Sequence, residues 1–364
     1  MVTAEHVIYP AIPLGAGRVQ GWSDIPIRED DSLDPLIPLG PLSQEAEILM
    51  TSSLYFGEHS NSPYAENRNT LEGSLLTLFA RRSVVHRLLV AEQLLPIGHH
   101  LLVFDAYRSY QVQKSLHAFY QQKLREKYPE MDNEALESET HKYVSLPSMD
   151  PNRPSPHTTG GSVDVAIVKL DQPHEEELIQ IRSHLTDIHL PIAKRVGMEM
   201  RLSAIMRRHA KMLDFGTAFD HGGEKSALAY YEAKSAAGEI LTDTDMLACN
   251  NRRFLFDIMT QAGFQPYFAE WWHFNAPESQ MGAATAGHAY ATFGAVDLNE
   301  SNRAHENTRL AIRQEALKLQ RAGGQAVART ALQAEMLTAI RATGDPILVE
   351  DWPAEIIAPL EDVC

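Results

Sequence analysis

Apolar residues recur at helical spacing between Leu71 and Leu95, at Leu75, Leu78, Phe79, Val85, Leu88 and Leu89. A helix packed along one face is predicted there, closed by Pro96 and Gly98. The run Leu101-Leu102-Val103-Phe104 is short and continuously apolar; it reads as a buried strand with Asp105-Ala106-Tyr107-Arg108 at its end. A polar helix is predicted over 110–128 and a second largely apolar strand over 162–168. Residues 171–210 carry two helical patterns without a chemistry-bearing cluster, as an insertion would. A helix over 250–261, with Gly263 as its C-cap, leads into a strand predicted from Pro266 to Asn275. Residues 299–342 show helical apolar spacing broken at Gly323-Gly324, which predicts a helical hairpin. The first 45 residues, rich in Pro with irregular Ile and Leu, read as an arm laid on the core. Together these elements predict an α+β fold: a small, mostly antiparallel sheet flanked by helices, with an appended helical C-terminal region.

Composition narrows the function classes. A chain of 364 residues can bury a full core, and its formal net charge of −16 argues against a nucleic-acid partner. Cys249 and Cys364 are the two cysteines, so neither a disulfide framework nor thiolate-held zinc is expected. The start, MVTAEHVIYPAIPLG, lacks a cationic and apolar leader, and no stretch approaches the ~18 apolar residues of a membrane span. The expectation is a cytoplasmic protein without a membrane partner.

Two segments concentrate chemistry. SPHTTGGSVD contains His157 and Asp164, with Gly160-Gly161 between them to turn the chain so that the two converge. Asp164 lies inside an apolar strand, where an ionised carboxylate is costly unless a cation or donors compensate it. EWWHFN contains Glu270 and His273. In a regular strand these two point to opposite faces, so serving one site requires a bulge or turn. Together the four residues supply three metal ligands and one spare carboxylate, the composition of a hydrolytic zinc site. Arg108, at a strand end, is well placed to donate fixed hydrogen bonds to an oxyanion. Trp271 and Trp272 are expected in the core and in a pocket wall.

These blocks carry a family resemblance. FDAYRS, SPHTTGGSVD, LDFGTAFD and NRRFLFDIMTQAGFQPYFAEWWHF, in this order, resemble the D-alanyl-D-alanine dipeptidases of the vancomycin-resistance (VanX) type over roughly residues 54–275. The stretches between Asp164 and Asp214 and between Asp220 and Asn251 are longer than compact members have. The resemblance implies that His157, Asp164 and His273 bind one zinc per chain, that Glu270 is the general base and then acid, and that Arg108 binds the scissile carbonyl oxygen. It implies further that Asp214 lies near the substrate ammonium and Ser155 near the substrate or the metal. The organisation expected is an arm over 1–45, a zinc dipeptidase domain over 46–279 with its insertion around 171–210, and a helical extension over 280–364 that serves a homodimer. The activity expected is hydrolysis of a small dipeptide, D-Ala-D-Ala first. The alternatives are a D,D-carboxypeptidase or endopeptidase acting on longer peptidoglycan peptides, and a non-catalytic zinc-binding module.

Overall fold

In chain order the elements are β1 (Leu36–Pro38), β2 (Met50–Thr51), β3 (Phe79–Arg81), α1 (Arg82–Leu94), β4 (His99–Asp105), α2 (Tyr110–Lys127), α3 (Asn133–Tyr143), β5 (Ser162–Lys169), α4 (Gln172–Leu185), α5 (Ile192–His209), β6 (Lys211–Met212), α6 (Tyr230–Ala236), α7 (Asp243–Gln261), β7 (Gln265–Pro266), β8 (His273–Asn275), α8 (Gln280–Ala286), α9 (Glu300–Ala322) and α10 (Ala331–Thr343). The computed structural model describes residues 9–14, 21–28, 34–40, 42–56 and 71–343. Much of the expected N-terminal arm and the end of the C-terminal extension lie outside these residues. Among them, no helix is long and apolar enough to cross a membrane.

The main sheet has the order β2-β4-β5-β8-β7, with β6 also paired to β5. Every pair is antiparallel except β2 with β4. β4 is buried along its whole length and β5 along all but its last residue, which explains why their sequences are near-continuous apolar runs. A separate two-stranded sheet joins β1 to β3. The α+β expectation holds.

Local departures have identifiable causes. The helix expected from Leu71 begins only at Arg82, because Phe79, Ala80 and Arg81 pair with Pro38, Ile37 and Leu36 as a strand. The N–H groups of Leu76 and Thr77 donate to the Glu306 carboxylate of α9, at 2.7 and 3.0 Å, which holds that stretch outside any helix. α7 starts earlier than its apolar spacing indicates. Thr242 and Asp245 form a reciprocal capping box there, and at the far end Gly263 follows the cap residue Ala262 with φ +90°. α3 is not announced by periodicity, since among its described side chains Leu136 is the one fully buried large apolar residue. The strand expected over 266–275 is a hairpin, β7 and β8 with residues 267–272 as its connection.

The C-terminal hairpin is present as α9 and α10. Ala316, Leu319, Met336 and Leu337 pack on Val196, Met200 and Ala204 of α5 in an apolar cluster of their own. Gly197 permits the close approach: a Cβ there would stand 3.3 Å from the Glu335 carbonyl oxygen.

Candidate metal centre and surrounding cavity

Strand register builds the centre. Asp105 ends β4 opposite Asp164 of β5, after a shift in pairing at Val103, and Asp164 is in turn the cross-strand partner of His273 on β8. Three chemistry-bearing side chains therefore occupy one row across three strands. His157 joins them from the short 3-10 turn Pro156–Thr159 that precedes β5. The turn ends at Gly160, whose φ is +68° and where a Cβ would meet Leu36 Cδ2 at 2.4 Å. Gly160→Ala is expected to cost about 1–3 kcal/mol in stability and to weaken metal affinity through His157. Thermal melts and a chelator titration of that variant check this; an unchanged protein would show the turn to be dispensable.

Hydrogen bonds fix both imidazole tautomers. His157 Nδ1 lies 2.8 Å from the Ala106 carbonyl oxygen and 3.2 Å from Asp105 Oδ2, so Nδ1 carries the proton and Nε2 the lone pair. His273 Nε2 lies 3.0 Å from Asn275 Oδ1, which also accepts from Ser162 Oγ, so here the lone pair is on Nδ1. The two bare nitrogens are 3.2 Å apart, and His273 Nδ1 is 3.1 Å from Asp164 Oδ1. Despite that proximity, Asp164 Oδ1 has no hydrogen-bond partner of acceptable geometry. Three buried acceptors thus converge, with their ligating atoms all within 4.8 Å of one another. That arrangement fits a cation, held by two imidazoles oriented from behind by a carbonyl and an amide oxygen. Among the described residues, this is the one such group of His, Cys, Asp and Glu.

The electrostatics agree with a neutral His157 and an ionised Asp164. Burial pushes His157 down to about 3, with Arg108 and His273 adding to the effect against the opposing pull of Asp164. For Asp164, burial is outweighed by the two imidazoles and Arg108, which hold it below the usual carboxylate range. His273 is raised: burial opposes its charge, but the adjacent Asp164 carboxylate, with Glu270 adding to it, prevails.

Arg108 is buried beside this group. Its Nε and Nη2 donate to Asp105 Oδ2 at 3.0 and 2.5 Å, Nη2 to Tyr55 OH at 3.0 Å, and Nη1 to Gln113 Oε1 at 2.8 Å. Asp105 is a carboxylate beside the centre that sequence reasoning missed, although it opens the quoted DAYR block. Burial lifts it to about 6 against the pull of Arg108, and it supports both Arg108 and His157. Glu270 occupies the hairpin connection, where its N–H donates to the Tyr267 carbonyl. That turn, rather than a strand, brings Glu270 and His273 to one side. Glu270 Oε2 stands 3.9 Å from His273 Nδ1 and outside the ligand group.

His157, Asp164, His273, Arg108 and Glu270 line one cavity of about 850 Å³, together with Tyr55, Gln113, His141, Ser155, Asp220 and Trp272; Asp105 lies behind them. At its base the protein presents metal ligands, a carboxylate and a guanidinium, the parts needed to hydrolyse a polarised carbonyl compound.

Residues 194–293 match the D-ala-D-ala dipeptidase family, Peptidase_M15. No curated protein matches the chain. The match covers Asp214, Asp220, Glu270 and His273, while His157, Asp164 and Arg108 lie before it. The matched peptidase segment and the earlier strands meet where His273 pairs with Asp164. The match and the His–Asp–His cluster together support a metallopeptidase.

Within the matched segment, the two aspartates of LDFGTAFD have different places. Asp214 does not line the cavity; its Oδ1 accepts the Gly216 N–H at 2.7 Å and its carbonyl accepts from the Asn251 side chain. Asp220 lines the cavity, with φ +63°, a left-handed conformation that non-glycine residues seldom adopt. Ser155 is in the wall with its Oγ donating to the Leu146 carbonyl at 2.7 Å. Trp271 is fully buried, stacked on Phe215 and donating to Thr217, whereas Trp272 faces the cavity.

Proposed function

We propose that this chain is a zinc-dependent peptidase that hydrolyses a small peptide with a free amino terminus, with D-Ala-D-Ala as the first candidate. The observation that carries the reading is the convergence of three lone pairs from His157, Asp164 and His273, with the Glu270 carboxylate beside them but outside the set. Two imidazoles and one carboxylate suit catalytic zinc, which leaves a position open, whereas structural zinc is closed by four protein ligands. When bound, zinc lowers the pKa of water to about 7 and polarises a carbonyl. Glu270 takes the proton from water and returns it to the departing amine, and Arg108 donates to the carbonyl oxygen as it becomes negative. Asp220, a carboxylate in the cavity wall, is assigned to the substrate ammonium in place of Asp214, whose Oδ1 is engaged by its own turn. Ser155 Oγ retains acceptor capacity toward the substrate.

A second reading has one observation in its favour. A cavity of about 850 Å³ lies toward the upper end of the range for drug-sized ligands, more room than two alanines fill. A D,D-carboxypeptidase acting on longer wall peptides would use that space. The zinc-supplied protein is expected to cleave D-Ala-D-Ala and to cleave N-acetyl-D-Ala-D-Ala at least about 10²-fold less efficiently, because the acetylated substrate offers the Asp220 carboxylate no ammonium charge. Asp220→Asn should narrow that gap. Efficient cleavage of a wall pentapeptide, compared by kcat/KM, would put the second reading first.

A further inference from the structure

We infer that Gln113 is a positioning residue that aims Arg108 at the reacting carbonyl and ties that aim to the far wall of the cavity, an inference that rests on the peptidase reading. Gln113 is 1% exposed, on the first turns of α2, and it faces two ways. Its Oε1 accepts from Arg108 Nη1 at 2.8 Å, and its Nε2 donates to the Ser145 carbonyl at 2.6 Å, in the segment that lines the cavity beyond α3. A guanidinium has five N–H groups. The bonds to Asp105 and Tyr55 occupy Nε and Nη2 and fix one edge of the plane. Nη1 is the opposite edge, and its other N–H is the one left for a substrate oxygen. Because Gln113 holds the same nitrogen, the direction of that last donor follows from where Gln113 sits. Gln113 in turn is held by the wall: Leu146, next to Ser145, is tied by Ser155. Misaiming a donor by even 1 Å is costly when the stabilised charge exists only in the transition state.

The test uses Gln113→Met, which keeps the volume and removes both bonds, and Gln113→Glu, which keeps an acceptor for Nη1 and loses the donor to Ser145. With D-Ala-D-Ala as substrate, Gln113→Met is expected to lower kcat about 10- to 100-fold with KM within about twofold. Gln113→Glu, which keeps the acceptor for Nη1 and lacks the tie to the wall, should recover only part of that loss, and full recovery would show that the tie to Ser145 sets nothing. In an Arg108→Ala background, Gln113→Met should change kcat by less than about twofold, since it acts through the missing side chain. Phenylglyoxal labelling of Arg108, read by peptide mass, should be faster in folded Gln113→Met than in the unmodified protein, whatever the activity. Full additivity with Arg108→Ala, or unchanged labelling, overturns the positioning role. If the unmodified zinc-loaded protein cleaves no peptide, the peptidase reading fails, and the labelling result alone decides whether Gln113 holds Arg108.

Discussion

Glu270→Gln is expected to retain its fold and full metal content while losing about 10²–10⁴-fold in kcat, the range attached to a positioned general acid–base group. The structure gives reasons for both halves. The Glu270 backbone is held by Tyr267 in the hairpin connection, and its side chain is 23% exposed, so replacing the charge by an amide disturbs little packing. Its carboxylate lies outside the group formed by His157, Asp164 and His273, so the ligand set survives. KM should change far less than kcat, since the proton moves in the transition state. Elemental analysis beside steady-state kinetics decides the matter. Loss of metal in this variant would make Glu270 a ligand and leave the proposed reaction without its base.

Asp164→Asn should have the opposite signature: metal affinity falls by more than the roughly 10–100-fold that outer-shell changes cost, and activity disappears with it. The substitution conserves shape, so it isolates the charge that holds the cation between two neutral imidazoles. It also carries a pH signature. In the unmodified protein Asp164 raises His273 above its ordinary 6.5, and metal must displace that proton. Apparent affinity is therefore expected to climb with pH through and somewhat beyond 6.5 and to level off once His273 is neutral. Without the carboxylate, His273 loses its upward pull and the levelling moves to lower pH. Chelator competition across pH measures both curves; coincident curves would show that Asp164 does not govern the titration.

How much of this was legible beforehand follows from what each residue depends on. β4, β5 and α2 are visible in the sequence because burial of both strand faces and a one-sided helix leave periodic traces. His157, Asp164 and His273 were found because chemistry-bearing residues flank a glycine pair or sit in an apolar strand. The convergence of Glu270 with His273 was open until the hairpin was known, since a turn and a strand over 266–275 use the same aromatic residues. Asp105 and Gln113 were missed for a different reason. Their roles come from partners near in space, Arg108, His157 and the Ser145 carbonyl, and a lone buried acid or amide has no sequence period. The choice between Asp214 and Asp220 likewise depends on which side of one turn faces the cavity. The buried apolar side chains of α9 and α10 pack on α5, so a homodimer through the C-terminal helices, as the sequence reading proposes, would use their other faces.

The shared row of Asp105, Asp164 and His273 also bears on how this protein can change over evolutionary time. A site encoded in strand pairing is indifferent to the length of the excursions between strands, so α4 and α5 occupy the span between β5 and β6 without interrupting the row. A single-residue slip of β8 along β5 would interrupt it, because it would set Phe274 opposite Asp164 and turn His273 to the other face of the sheet. The centre is thus encoded as a register: the pairing of three strands is fixed by its chemistry, and the length of the excursions between them is not.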